Sequence, residues 1–132
     1  MAAAVVTPIV TVSSTHAPKA IGPYSHAIKA GETVYLSGQI PLDPNSMMLV
    51  SSDFKAQANQ VFTNIQWVAE DMGSKLNQIA KLTIYLTDIA NMPVLNEVMM
   101  QYFNAPYPAR TTIQVSALPK LAQIEIDAIL IL

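Results

Sequence analysis

The most regular pattern in the chain is a helical stripe between Asp53 and Met72. Phe54, Ala58, Val61, Phe62, Ile65, Val68, Ala69 and Met72 recur at spacings of three and four, which puts them on one face of an α-helix. Ser51 or Ser52 is placed to cap its first turn, Asp53 suits the positive end of its dipole, and Gly73 is placed to end it. A second stripe, Leu95, Val98, Met99, Tyr102 and Phe103, predicts a helix from about Asn91 to Phe103, with Pro93 tolerated in its first turn.

Elsewhere the apolar positions read as strands. Tyr24–Lys29 and Thr33–Ile40 flank the turn signal Ala30-Gly31-Glu32. In Lys81–Thr87, Leu82, Ile84 and Leu86 share one face while Thr83, Tyr85 and Thr87 share the other. Arg110–Ser116 and Gln123–Leu132 follow, joined by Ala117-Leu118-Pro119-Lys120, and Pro41–Val50 reads as a loop or small hairpin around Asp43-Pro44-Asn45. No repeat or linker divides the chain, so residues 1–19 are read as an N-terminal arm and 20–132 as one domain. The order strand, strand, helix, strand, helix, strand, strand predicts an α+β domain whose two helices cover one face of a sheet.

The other face then needs a different cover. Ile124, Ile126, Ala128 and Leu130 are expected toward the helices, leaving Glu125, Asp127, Ile129 and Ile131 opposite. Keeping Thr111, Ile113 and Val115 on the oily side sends Arg110, Thr112 and Gln114 to the face of Glu125 and Asp127, along with Tyr35, Thr83 and Tyr85. A mixed face of this kind suits an interface between copies with a polar cleft in it.

Composition supports such a contact. The chain of 132 residues is 52% apolar and only 12% charged, where ordinary domains carry about 25% charged residues. The absence of cysteine excludes disulfides, thiolate metal ligands and a cysteine nucleophile. A net charge of −2 gives no electrostatic reason to seek nucleic acid or anionic lipid. No apolar run is long enough to span a bilayer. The run Met1–Ser14 has no basic residue and is interrupted by Pro8, unlike a secretory or mitochondrial leader. A cytoplasmic location is expected, with the mitochondrial matrix as the other candidate.

Arg110 is the only arginine. Its planar fork can grip a carboxylate through two parallel hydrogen bonds, or pair structurally with Glu125 or Asp127. Glu125 lies in an aliphatic run, where a carboxylate needs a partner or a task such as holding an attacking water; Asp127 competes for that role. Tyr24 offers a phenol at a strand start, and Ser37-Gly38-Gln39 ends a strand with a residue that allows close backbone approach. His16 and His26 form no metal-ligand cluster, and no phosphate loop or nucleophile–base pair is present.

The segments Ala20-Ile21-Gly22-Pro23-Tyr24-Ser25-His26-Ala27, Ser37-Gly38-Gln39-Ile40-Pro41, Tyr107-Pro108-Ala109-Arg110-Thr111 and Ile124-Glu125-Ile126-Asp127-Ala128 resemble the Rid family (reactive intermediate deaminases, YjgF-type), in order and spacing, across about Ala17 to Leu130. The resemblance implies a chorismate-mutase-like fold and a homotrimer with clefts between subunits. It also implies hydrolysis of 2-iminobutanoate and 2-iminopropanoate to 2-keto acids and ammonia, with no cofactor and no metal. Carried over to this chain, Arg110 clamps the substrate carboxylate, the backbone of Thr112 meets the imine end, and Glu125 orients water. Tyr24, Ser37, Gly38 and Asn96 line the same cleft. The turn Asn45-Ser46-Met47-Met48 lacks the glycine that many members have, and threonine stands at position 112 where several have cysteine. Two alternatives stand beside the deaminase: an endoribonuclease or translation inhibitor, which the scarcity of basic residues disfavours, and a non-catalytic module that binds small carboxylates.

Overall fold

The computed structural model describes residues 3–132, and its strands and helices follow in the order β1 (Ile9–Val12), β2 (Ala27–Ala30), β3 (Thr33–Gln39), α1 (Phe54–Asp71), β4 (Ile79–Leu86), α2 (Met92–Tyr102), β5 (Ala109–Gln114) and β6 (Ile124–Ile131). The first two residues of the arm lie outside the described residues. Among the described residues the strands form one mixed sheet in the order β1-β2-β3-β6-β4-β5, antiparallel except where β4 runs parallel to β5. The expected α+β architecture with two helices is present.

Alternation in β6 sets the two faces. Ile124, Ile126, Ala128 and Leu130 are buried and stand level with Leu86, Ile84, Leu82 and Ile79 of β4. With Val34 and Leu36 of β3 they pack under Phe54, Ala58, Val61, Phe62, Ile65 and Val68 of α1 and Leu95 and Val98 of α2. Phe62 stacks on Tyr102 at 5.3 Å between ring centroids and meets Phe103 edge-on at 5.8 Å, which fastens the helices to each other.

Asp53 is itself the cap of α1, its carboxylate accepting the Ala56 N–H at 3.0 Å, while Ser51 accepts the N–H of Asp53. This corrects the expectation that a serine caps the helix; a carboxylate also gains from the dipole there. Gly73 ends the helix at φ +76, as its pattern predicted. Two amides sit within the apolar stripe: Gln57 bonds Ser51 and Gln123, and Asn64 bonds the carbonyls of Ile40 and Leu42. These bonds hold the 40–51 loop against the helix. In that loop Leu42 bridges Leu49, Asp43 accepts the N–H groups of Asn45 and Ser46, and Met47 takes φ 59 where glycine is the easier residue.

Strand β1 was not visible in the pattern and belongs to the stretch read as an arm. It pairs with β2 from Ile9↔Ala30 to Val12↔Ala27. The chain after it is tied down by His26, whose Nδ1 accepts the Ser14 N–H at 2.8 Å, so that Nε2–H donates to the Pro18 carbonyl. Asp71 adds a second tie, accepting from Ser14 Oγ and the Thr15 N–H and pairing with His16 at 2.7 Å. No helix among the described residues is long and apolar enough to cross a membrane.

Candidate active site

The sequence-predicted residues fall into two groups. Arg110 stands level with Leu82 at the start of β5, on the side of the sheet that the helices cover. Its Nη1 donates to Asn96 Oδ1 of α2 at 2.7 Å, and the thioethers of Met99 and Met92 lie 3.3 and 3.8 Å from Nη1 and Nη2. Arg110, Asn96 and Met99, together with Met100, Tyr107 and Pro108, line an open groove of about 420 Å³.

The second group faces the other way. Glu125 stands level with Tyr85 on the uncovered face. It shares a groove of about 280 Å³ with Tyr24, Ser37, Gly38, Ile40 and Pro119. The β3–β6 register shifts between Leu36 and Gln39, a bulge that aims Gly38 at the glutamate. A Cβ on Gly38 would lie 3.1 Å from the Glu125 carboxylate, so only glycine lets that carboxylate rest on the strand. Ser37 donates its hydroxyl proton to the Ser25 carbonyl, and Tyr24 Oη accepts the Ile21 N–H at 3.2 Å.

Arg110 and Glu125 therefore occupy opposite faces, which corrects the expectation that they share one. The phase of β5 follows from its pairing with β4, where Leu82, Ile84 and Leu86 are the buried set and stand beside Arg110, Thr112 and Gln114. The apolar member of the other set, Ile113, is 43% exposed. On an edge strand an apolar side chain does not reveal which face is inward. The same finding removes the structural ion pair with Glu125 or Asp127. Among the described residues the one ion pair is His16–Asp71.

Electrostatics separates the two carboxylates of β6. Asp127 accepts the Tyr85 hydroxyl at 2.9 Å, and this bond raises the phenol's pKa above its ordinary value. Burial, and then the charge of Asp127, push the Glu125 carboxyl above the ordinary carboxylate range. Thr112 has a buried hydroxyl without a partner among the described residues. Its backbone turns outward: the Val115 N–H bonds Leu86 O, and alternate residues of a strand point their polar groups the same way. The N–H and C=O of Arg110, Thr112 and Gln114 thus line the free edge of the sheet.

Sequence reasoning missed Met92 as a neighbour of the arginine and read Met99 only as core. The signal was present, since positions 92, 96, 99 and 100 share one side of a helix.

Residues 14–132 match the family model described as Endoribonuclease L-PSP. The chain belongs to the Rid family. A Rid relative from Dermatophagoides farinae, named 2-iminobutanoate/2-iminopropanoate deaminase, is 40% identical over 121 residues, 92% of this chain and 94% of the relative. The Homo sapiens protein of the same name is 42% identical over 120 residues, 91% of this chain and 88% of that one. The crystal structure of RidA from the Antarctic bacterium Psychrobacter sp. PAMC 21119 superposes with a TM-score of 0.90 at 47% identity, covering 93% of this chain and 99% of that chain. The Rid motifs quoted from the sequence lie at the two grooves: Pro-Ala-Arg opens β5 beside the first, and Ser-Gly-Gln and Ile-Glu-Ile meet at the second.

Proposed function

We propose that this chain hydrolyses 2-imino acids such as 2-iminobutanoate and 2-iminopropanoate to 2-keto acids and ammonia. The observation that carries the reading is the Arg110 guanidinium, held by Asn96 at the mouth of a groove with no carboxylate paired to it among the described residues. Its remaining N–H groups suit a planar carboxylate. The names of the mite and human relatives supply the substrate class.

The complete site forms between copies, one contributing Arg110, Asn96 and the Thr112 edge, its neighbour contributing Tyr24, Ser37, Gly38 and Glu125. This division is supported by the opposed faces of the two grooves and by Tyr35, Ile113 and Ile131, which the uncovered face leaves exposed. A homotrimer with three such clefts is the assembly the family resemblance implies.

In the reaction, R–C(=NH2+)–COO− and water give R–CO–COO− and NH4+. A protonated imine is already electrophilic, so the site has to hold it, place a water and pass protons. Glu125 is suited to the water, because a carboxylate with a raised pKa takes up and returns a proton near neutrality more readily than an ordinary one. The outward Thr112 carbonyl and N–H are suited to the imine nitrogen and the keto oxygen that replaces it. The reaction belongs in the cytoplasm or the mitochondrial matrix, where amino acids are turned over.

The test is a coupled assay in which a dehydratase forms 2-iminobutanoate from threonine and keto-acid release is followed. Wild type should accelerate release and Arg110→Ala should not. No acceleration by the wild-type assembly would overturn the deaminase and leave the carboxylate-binding module as the better reading.

A further inference from the structure

The Arg110 groove is much larger than a three-carbon acid requires, and its walls are of one chemical kind. Among the described residues that line it, Arg110 is the sole charged group and Asn96 the sole amide; the rest are Met99, Met100, Tyr107 and Pro108. Two thioethers stand against the guanidinium nitrogens, Met99 Sδ at 3.3 Å from Nη1 and Met92 Sδ at 3.8 Å from Nη2. Met100 and Tyr107 extend the wall outward, 66% and 54% exposed. Nothing in the hydrolysis itself calls for this surface.

We propose that Met99, Met100 and Tyr107 form a side-chain subsite beside Arg110 that selects 2-imino acids with long apolar side chains. The inference rests on the imino-acid reading and adds to it a preference among substrates. A carboxylate held on the free N–H groups of Arg110 fixes the α-carbon one bond away. The substituent on that carbon then leaves toward α2, the side on which the methionines stand. A methyl group ends before it reaches Met100, whereas a four-carbon chain lies along both thioethers. Methionine suits such a wall because its unbranched, polarisable side chain adjusts to chains of different shape. The only groups that punish a polar substituent are the same ones that reward an apolar one, since the wall beyond Asn96 offers just the Tyr107 hydroxyl as a hydrogen-bonding side chain.

The experiment measures kcat/KM on a series formed in situ by an amino-acid oxidase: 2-iminopropanoate from alanine, 2-iminobutanoate from 2-aminobutanoate and 2-iminohexanoate from norleucine. Each methylene that gains cover is worth about two- to fourfold, so the six-carbon substrate should exceed the three-carbon one by roughly 10- to 60-fold. In Met100→Ser, an exposed substitution that leaves the core intact, that ratio should fall about three- to tenfold; Met99→Leu, which keeps the volume and stiffens the wall, should lower it less. A flat or falling series in wild type, or an unchanged ratio in Met100→Ser, would overturn the subsite while the deaminase reading stands. Failure to hydrolyse any member would overturn that reading, and the subsite with it.

Discussion

Gly38 and Glu125 meet across the β3–β6 pair so closely that a single added carbon on the glycine would fall 3.1 Å from the carboxylate. The φ of Gly38 is not in the left-handed region, so alanine is admissible to the backbone and only the contact is at stake. Gly38→Ala should push Glu125 off the strand and lower kcat at least tenfold, with little change in thermal stability, because displacing a catalytic group by about 1 Å can cost about 100-fold. Steady-state kinetics beside a melting curve reads both; unchanged kcat would mean that the resting position of Glu125 is unimportant.

Arg110→Lys retains the charge and loses the planar fork. With hydrogen bonds to charged groups worth about 1.5–3 kcal/mol, kcat/KM should drop by roughly 10- to 100-fold. The melting temperature should stay nearly constant, since Arg110 has no ion pair among the described residues to lose. A large loss of stability would reassign the arginine to holding α2 against β5.

Glu125 also makes a prediction about stability and pH. Its carboxyl binds its proton more tightly in the folded chain than in the unfolded one, because burial and Asp127 disfavour the charge. The stability it contributes is therefore complete below the ordinary carboxylate range, about pH 4, and is lost as pH rises through the folded value. Glu125→Gln has no such loss. Its melting temperature relative to wild type should be higher at pH 7 than at pH 4, even as activity disappears. The opposite trend would show that the folded chain favours the charged glutamate.

If the site is shared between copies, two inactive variants should rescue each other. Arg110→Ala and Glu125→Gln, unfolded together in equal amounts and reassembled, leave one interface in about four with both wild-type halves when chains mix at random around a ring. Activity should return to roughly one quarter of the wild-type value. Reassembly that restores nothing would place a whole site within each chain.

Both helices and five of the six strands of the described residues were legible; α1, α2, β3, β4 and β6 each lay an apolar face on the core, and turn signals and short runs gave β2 and β5. Strand β1 was not. Ile9, Val10 and Val12 are apolar with only Thr11 among them, so no clean alternation marks the strand, and three of its four residues are exposed. Alternation carries no message when neither face is buried. The same limit hid the phase of β5, where Ile113 faces the uncovered side while Arg110 and Thr112 lie on the helix side. The place of Asn96 near the site came from family resemblance, and its bond to Arg110 from the structure. Helical spacing could have added Met92 and Met99 to that site, had the arginine's face been known. Of the two carboxylates in β6, Asp127 takes the Tyr85 hydroxyl while Glu125 rests against Gly38 in the groove, and no spacing in the chain reveals either contact.

The place of β6 in the sheet bears on how the molecule is made. It is the last strand along the chain, yet it lies between β3 and β4. A ribosome delivers β1, β2 and β3 first, then α1, β4, α2 and β5, and until residues 124–131 emerge these two blocks have no strand to join them. The helices can form early, but the edges of β3 and β4 that β6 joins stay unpaired until it emerges. Closure then needs insertion of a strand that pairs on both edges with segments about 40 to 100 residues behind it, a long-range event of the kind that slows folding. The sheet therefore becomes continuous only with β6, rather than with the appearance of any earlier element.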